Sequence, residues 1–257
     1  MSEPDYIVNL SGGKDSSELA HQMLERGEKI AALVYVDYGL EFPEMYDHLD
    51  LLEQKLGMRI WRIAPRLPFE WMMNKKRVVA RDGSIKYGYG WPSNVRWCTQ
   101  QKVYALDHFA KSFKNPVHCV GYAADEDRSS NMSKYPYRYP LQEYGITEKQ
   151  ALKNCYDRGY YWGGLYHHFS RVSCFCCPQK SEDDLRKIRR FYPKLWAEML
   201  RMDINQPSHA PGFKGGKSVH DLDEKYRKED EKAFLMNKIN TKDPIGKSGQ
   251  ILISGCE

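Results

Sequence analysis

Tyr6-Ile7-Val8-Asn9-Leu10-Ser11-Gly12-Gly13-Lys14-Asp15-Ser16 decides the fold. An apolar run of strand length passes directly into two glycines and a lysine. Leu19, Ala20 and Leu24 then mark the apolar face of a helix that ends near Gly27. Strand, glycine turn and helix start together form an anion cradle: glycines let successive backbone N–H groups converge on one point, and the helix adds its positive end. Lys14 has the reach to meet phosphate oxygens, and Ser11 and Ser16 offer hydroxyls. Asp15 is out of place in a pure anion site, so it points to a cation, Mg²⁺, held between its carboxylate and substrate phosphates. The spacing is not that of a Gly-x-x-x-x-Gly-Lys-Ser/Thr loop. Gly216-Lys217-Ser218 has the end of that pattern, but Pro211 stands where the earlier glycine is required and no strand precedes it, so 212–218 reads as a flexible loop.

Outward from that stretch, Ile30 to Val36 is a second strand and Pro43 opens a helix to Leu56, with Met45, Leu49, Leu52 and Leu56 at helical spacing. Met58 to Ile63 is a third strand. Strand and helix alternating in this way specify a parallel sheet with crossover helices. The pattern then changes. Residues 66–97 are Gly- and aromatic-rich and read as an irregular insertion over one face. A helix from Thr99 to Phe113 leads into a fourth strand, Pro116 to Gly121. Thr147 caps a helix running to Arg158, Ser181 starts another with acids in its first turn, and a charged helix spans Leu222 to Ile239. The expected organisation is a nucleotide-binding α/β unit over 1–145, carrying a basic aromatic insertion at 64–97, and a helical region over 146–257.

The chain has 257 residues, 28% charged and 41% hydrophobic, with six Trp, 18 Tyr and nine Phe, which excludes a disordered tail or a small disulfide scaffold. No apolar run spans a bilayer and the start lacks the regions of a secretory signal. Seven cysteines, two adjacent, suit reduced thiols or metal ligands, so a cytoplasmic protein with no membrane partner is expected. Net charge is only +5, but Arg59 to Lys111 holds eleven Lys/Arg against three acids, interleaved with Trp61, Trp71, Tyr87, Tyr89, Trp91 and Trp97. Cations beside stacking surfaces suit DNA or RNA; the plainer reading is a basic surface over core aromatics.

Ligands of open α/β sheets sit outside the carboxyl ends of the strands. The second strand end carries Asp37 and the fourth carries Gly121 followed by Asp125-Glu126-Asp127-Arg128. Asp37 or Asp125 completes a Mg²⁺ site on this reading, and Arg96 and Arg128 grip an oxyanion. Otherwise Asp37 caps its own turn and the acidic run is solvated. Cys174-Phe175-Cys176-Cys177-Pro178 holds a Cys-x-x-Cys pair, Cys174 and Cys177, and Cys98 is the natural third ligand. A fourth is Cys176, His167, His168 or a substrate. Three thiolates with an open position suit a 4Fe–4S cluster, a closed set suits Zn²⁺, and the remaining readings are thiol redox chemistry or inert packing. Cys119 and Cys155 read as structural.

Ser11 to Ser16 resembles the motif of the PP-loop (adenine nucleotide alpha hydrolase-like) superfamily, and Val36 to Tyr46 looks like the strand-end segment of the phosphoadenosine phosphosulfate (PAPS) reductase family. Arg96-Trp97-Cys98-Thr99 and Gly121 to Arg128 are similar to that family's broader members, phage-borne ones included. The resemblance covers roughly residues 5 to 180. It implies a Rossmann-like (HUP-type) α/β fold, a parallel sheet with flanking helices, joined to a smaller, mostly helical, Cys-containing C-terminal part. It also implies ATP with Mg²⁺ as cofactors, cleavage of ATP to AMP and pyrophosphate, and transfer of AMP to an acceptor. In sulfur-transfer members of the superfamily a sulfur donor protein then takes part. Two departures separate the chain from true PAPS reductases. Their phosphate loop is degenerate whereas this one is complete, and their Glu-Cys-Gly-type tail is replaced here by Ser254-Gly255-Cys256-Glu257. Adenylylation in sulfur transfer is therefore the leading expectation. A thioredoxin-dependent reductase of PAPS or adenylylsulfate, and a non-catalytic nucleotide- or nucleic-acid-binding module, are the alternatives.

Overall fold

Five strands pair in parallel, and the chain order of those strands places the site. In the computed structural model, which describes residues 3–240 apart from Arg81, Arg128, Ser130 and Asn131, the sheet order is β3-β2-β1-β6-β7. These strands are β1 (Asp5–Leu10), β2 (Ile30–Val36), β3 (Ile60–Ile63), β6 (Pro116–Val120) and the short β7 (Tyr137–Arg138). The two remaining strands, β4 (Arg77–Val79) and β5 (Ile85–Tyr87), form a separate antiparallel hairpin. From β1 the chain winds outward to β3, then returns to add β6 on the other side of β1. The winding direction thus reverses between β1 and β6, and the crevice at the carboxyl ends of those two strands is where such sheets bind ligands.

Side chains alternate between the two faces of a strand, and the core follows that period. Val8, Leu10, Leu33 and Tyr35 face the side covered by α1 (Lys14–Glu25) and α2 (Pro43–Leu56), with Leu19, Met23, Met45 and Leu49 fully buried there. Each such Leu or Met contributes about 1.5–3 kcal/mol relative to an exposed position. Ile7, Ala32 and Val34 face the other side and meet Ala110, Leu106 and Phe109 of α4 (Trp97–Ala110). The first buried cluster runs on from Val8 to Tyr226 through the C-terminal helices, among them α6 (Glu148–Asp157), α8 (Glu182–Phe191), α9 (Pro193–Asp203) and α10 (Val219–Asn240). Thr147 and Ser181 cap α6 and α8 as expected, each in a reciprocal box with the residue three positions on. Two short helices, α5 (Pro140–Glu143) and α7 (Leu165–His168), fill the connections. No helix of the described residues is long and apolar enough to cross a membrane.

Three expectations are corrected. The insertion is ordered: α3 (Phe69–Asn74) leads into the β4–β5 hairpin, turning at Asp82-Gly83 with Gly83 at φ 82°. Its aromatics divide, because Trp91 and Trp97 are core residues whose indoles donate to Asp203 (2.7 Å) and the Gly90 carbonyl (3.2 Å), leaving Trp61 and Tyr87 exposed. Residues 212–218 are likewise fixed, since Phe213 is fully buried edge-on against Trp91, its N–H donates to the Lys217 carbonyl, and Ser218 caps α10 through Asp221.

Behind the phosphate loop, His48 stacks on Trp162 (4.3 Å between centroids), and its Nε2 lies 2.9 Å from the Ser17 hydroxyl. That hydroxyl donates to the Gly13 carbonyl, so Nε2 is assigned the proton and donates to Ser17. Burial pushes the imidazole down to about 3. A histidine neutral in the folded chain lends stability that is whole above the unfolded value near 6.5 and is lost as pH falls toward the folded one. His21, driven down to about 4 by burial and then by Arg158, acts in the same direction. Between pH 7 and pH 5 the His48 contribution falls by about 2 kcal/mol. Urea midpoints at the two pH values are expected to converge in His48→Gln; an unchanged pH dependence would remove His48 from this account.

Candidate active site

The β1–α1 loop is shaped by its own side chains before any ligand enters. Gly12 is left-handed at φ 77°, open to glycine at no steric cost, and an added Cβ would stand 2.7 Å from Met45 Cε. The Ser11 N–H donates to Ser16 Oγ (3.1 Å) and Ser16 Oγ donates to the Gly13 carbonyl (3.1 Å), so Ser16 is spent on holding the turn. From the C-terminal half, the Trp162 indole donates to the Gly12 carbonyl (2.8 Å). Trp162 adopts φ 50° to do so, a left-handed conformation that costs a non-glycine residue about 1–2 kcal/mol. The Lys14 N–H, first of α1, donates to the Tyr166 hydroxyl at 2.8 Å.

This loop opens into a cleft of about 750 Å³ at the β1/β6 crevice. Lys14 is nearly buried, and its ammonium lies 2.8 Å from both Asp15 oxygens and 2.8 Å from Glu148 Oε2. Arg171 donates to Glu126 (2.8 Å) and to Glu148 (3.2 Å). Burial raises the Asp15 carboxyl, with Glu148 and Glu126 adding to the shift against the pull of Lys14. The Lys14 hydrogen bond, outweighing burial, holds Glu148 below its usual range. Three carboxylates against two cations leave this end of the cleft one negative charge in excess, a suitable setting for a divalent cation carried in with polyphosphate.

The same cleft is also lined by cysteines. Cys98, on the first turn of α4, Cys174, Cys176 and Cys177 all reach it. The Phe175 N–H donates to the Leu40 carbonyl (3.0 Å), pinning this knot to the segment after β2. There the Cys174 thiol donates to buried Glu41 (3.2 Å), and Lys102 stands 3.5 Å from Glu41. Burial raises the thiols of Cys98, Cys174 and Cys176. Burial opposes the Lys102 charge, but Cys174 and Glu41 more than offset it and hold the ammonium above its usual range. The six cysteines of the described residues are all free thiols, and among the described residues no three His, Cys, Asp or Glu side chains are grouped to hold a metal ion as they stand.

Ser11, Gly13, Lys14, Asp15, Arg96, Gly121 and Glu126 line the cleft with the cysteines, so most of the sequence-derived set converges. Asp37 and Asp125 are not among the lining residues. Asp37 accepts from the Gly39 N–H (2.6 Å) and the Tyr46 hydroxyl (3.0 Å), and Asp125 accepts the Glu148 N–H (2.9 Å) at the start of α6. His167 and His168 pack on Tyr161 and Phe191 and are not among the lining residues, whereas Cys176 lines the cleft from within the buried core. Arg128 and Cys256 lie outside the described residues. Sequence reasoning missed Glu148, Tyr166, Arg171, Glu41, Lys102 and Lys180. Glu41 lay inside a motif already singled out, whereas the others carry no local signature.

A complete glycine–lysine loop at the reversal of a parallel sheet, opening into a cleft, is the anion-binding arrangement of an open α/β fold. Residues 5–138, just over half of the chain, match the phosphoadenosine phosphosulfate reductase domain, and the chain belongs to that family. Two uncharacterized proteins of Methanocaldococcus jannaschii are 25% identical over 74% of the chain and 22% identical over 77%; those alignments cover 39% and 48% of the relatives. The chain thus spans less than half the length of the curated relatives it matches. Among solved structures, a PAPS reductase from Candida auris in complex with phosphate aligns over 67% of this chain and 82% of its own, at 14% identity and a TM-score of 0.48. A predicted subunit of a tRNA methyltransferase from Methanocaldococcus jannaschii aligns over 75% and 89%, at 15% identity and a TM-score of 0.36.

Proposed function

We propose that the protein binds ATP–Mg²⁺ and transfers AMP to an acceptor oxygen, releasing pyrophosphate, as the activating step of a sulfur transfer. One observation carries the reading: residues of the phosphate loop and four cysteines line one and the same cleft. The acceptor oxygen attacks the α-phosphorus, the bond from that phosphorus to the bridging oxygen breaks, and pyrophosphate leaves with the electron pair. Sulfur from a donor protein then displaces AMP from the activated carbon. Lys14 leaves Asp15 and Glu148 to neutralise the polyphosphate, and the freed Asp15 carboxylate holds Mg²⁺. Arg96, exposed on the cleft and with no hydrogen-bond or ion-pair partner for its guanidinium among the described residues, meets a second anionic group. Cys98, Cys174 and Cys177 supply soft donors that suit a 4Fe–4S cluster or Zn²⁺, with buried cations beside them for the charge of bound thiolates. Such a centre, when bound, delivers or activates sulfur. Exposed Lys75, Arg77, Lys86 and Tyr87 on and beside the hairpin, with exposed Arg66 and the cleft-lining Arg96, favour DNA or RNA as the acceptor.

The test is product analysis. Protein incubated with ATP, Mg²⁺ and RNA or DNA is expected to yield AMP and pyrophosphate in equal amounts. ADP and phosphate would sink the adenylyl-transfer reading, and tight ATP binding with no turnover on any acceptor would make the chain a binding module.

A further inference from the structure

The first N–H of α1 is the amide that an anion in the phosphate loop meets, yet it donates to the Tyr166 hydroxyl at 2.8 Å. Tyr166 lies on α7, 152 positions further along and beyond the 5–138 stretch that matches the reductase domain. Its ring sits edge-on against Trp162 (4.9 Å between centroids), which the Gly12 carbonyl and His48 hold in turn. Gly13 makes room for it, because a Cβ there would stand 3.3 Å from the hydroxyl oxygen. A phenol both accepts and donates. The Lys14 N–H takes the accepting role of the oxygen, whereas the hydroxyl's own proton has no acceptor among the described residues, although Tyr166 lines the cleft. Burial raises the phenol more than the Lys14 amide lowers it, so the proton stays on at neutral pH. Accepting from a helix-terminal amide polarises that O–H and strengthens it as a donor.

We propose that Tyr166 completes the phosphate site, its hydroxyl standing in for the Lys14 amide and donating its own proton to an oxygen of the phosphate chain held by the loop. The proposal rests on reading that loop as an ATP site. Amide, hydroxyl and phosphate oxygen then form a chain of two hydrogen bonds, in which no covalent bond breaks and each donor keeps its proton. The positive end of α1 is thereby passed to the ligand one bond further out. A ring seated on Trp162 favours a hydroxyl that stays and donates over one that swings away. The contact also ties α7, from the helical half of the chain, to a ligand held by the sheet half.

The full-length protein and its Tyr166→Phe variant are titrated with ATP, pyrophosphate and adenosine in the presence of Mg²⁺. Tyr166→Phe keeps the ring and is expected to bind ATP and pyrophosphate about tenfold more weakly or worse, the loss of one hydrogen bond to a charged group. Adenosine, which has no phosphate, is expected to bind both proteins equally. ATP binding that is unchanged or tighter in Tyr166→Phe overturns the proposal and leaves the phosphate loop standing, with the hydroxyl a spectator or an occupant that phosphate displaces. An equal loss for adenosine and ATP assigns Tyr166 to packing and overturns it too. A second measurement covers a variant that does not fold: 3-fluorotyrosine placed at position 166 carries its fluorine beside the hydroxyl, and its ¹⁹F signal is expected to move when pyrophosphate and Mg²⁺ saturate the protein. A signal that stays in place overturns the proposal. A wild-type chain that binds neither ATP nor pyrophosphate fails the reading of the loop and the inference with it.

Discussion

Lys14→Met is expected to lower the rate of AMP and pyrophosphate formation by about 10²- to 10³-fold, the loss typical of removing one preorganised charge from a developing anion. Lys14 is the one cation of the phosphate loop itself, and its ammonium is already desolvated between Asp15 and Glu148. A charge in such a setting costs little reorganisation when the nucleotide replaces the carboxylates as its partner. Glu148→Gln is the companion measurement. It removes the carboxylate that the ammonium must leave, so ATP is expected to bind a few-fold more tightly in calorimetry. Lys14→Met turnover within threefold of wild type would take Lys14 out of the phosphate site, and weaker ATP binding in Glu148→Gln would show that Glu148 supports the ligand directly.

Gly121→Ala is expected to cost about 2–3 kcal/mol in stability and most of the affinity for ATP. Gly121 ends the crossing from β6 into the cleft, and an added Cβ would stand 2.9 Å from the Asp15 carbonyl carbon and oxygen and 3.0 Å from Ser16 Cα. All three are backbone atoms, so no rotamer relieves the contact, and α1 must move away from β6. That separation widens the crevice in which the phosphate loop and the β6 end face one ligand. Gly12→Ala is the comparison, since its close neighbour is the movable tip of Met45 and its cost lies in the left-handed backbone. Urea melts and ATP titrations read the two effects separately. A Gly121→Ala protein with wild-type stability and wild-type affinity would show that the β6 end is free to shift and takes no part in the site.

The cysteine end was half legible. Cys174 and Cys177 announce themselves by spacing, and Cys98, 76 residues earlier, stands with them on one wall as the sequence suggested. Asp37 was read from its place at a strand end, but the direction of its side chain is settled by the Gly39 N–H and the Tyr46 hydroxyl, which donate to it. The tryptophans of the basic stretch show the same division. Beside cations, Trp91 and Trp61 look alike in sequence, yet Asp203, 112 positions away, receives the Trp91 indole and makes it core.

What the chain determined by itself is local: the β1–loop–α1 phosphate cradle, the alternation that makes a parallel sheet, the caps at Thr147 and Ser181, the thiol pair. Each depends on φ/ψ preferences, side-chain period or hydrogen bonds within a few residues, and those are written in order along the sequence. Tertiary structure alone decided that Glu148 clasps Lys14, that Tyr166 and Trp162 seat the loop, that Arg171 bridges Glu126 to Glu148, and that Lys180 is buried beside the cysteines. Their interactions depend on distances of a few ångströms between groups up to 152 residues apart. Only the packing of one layer on another sets those distances.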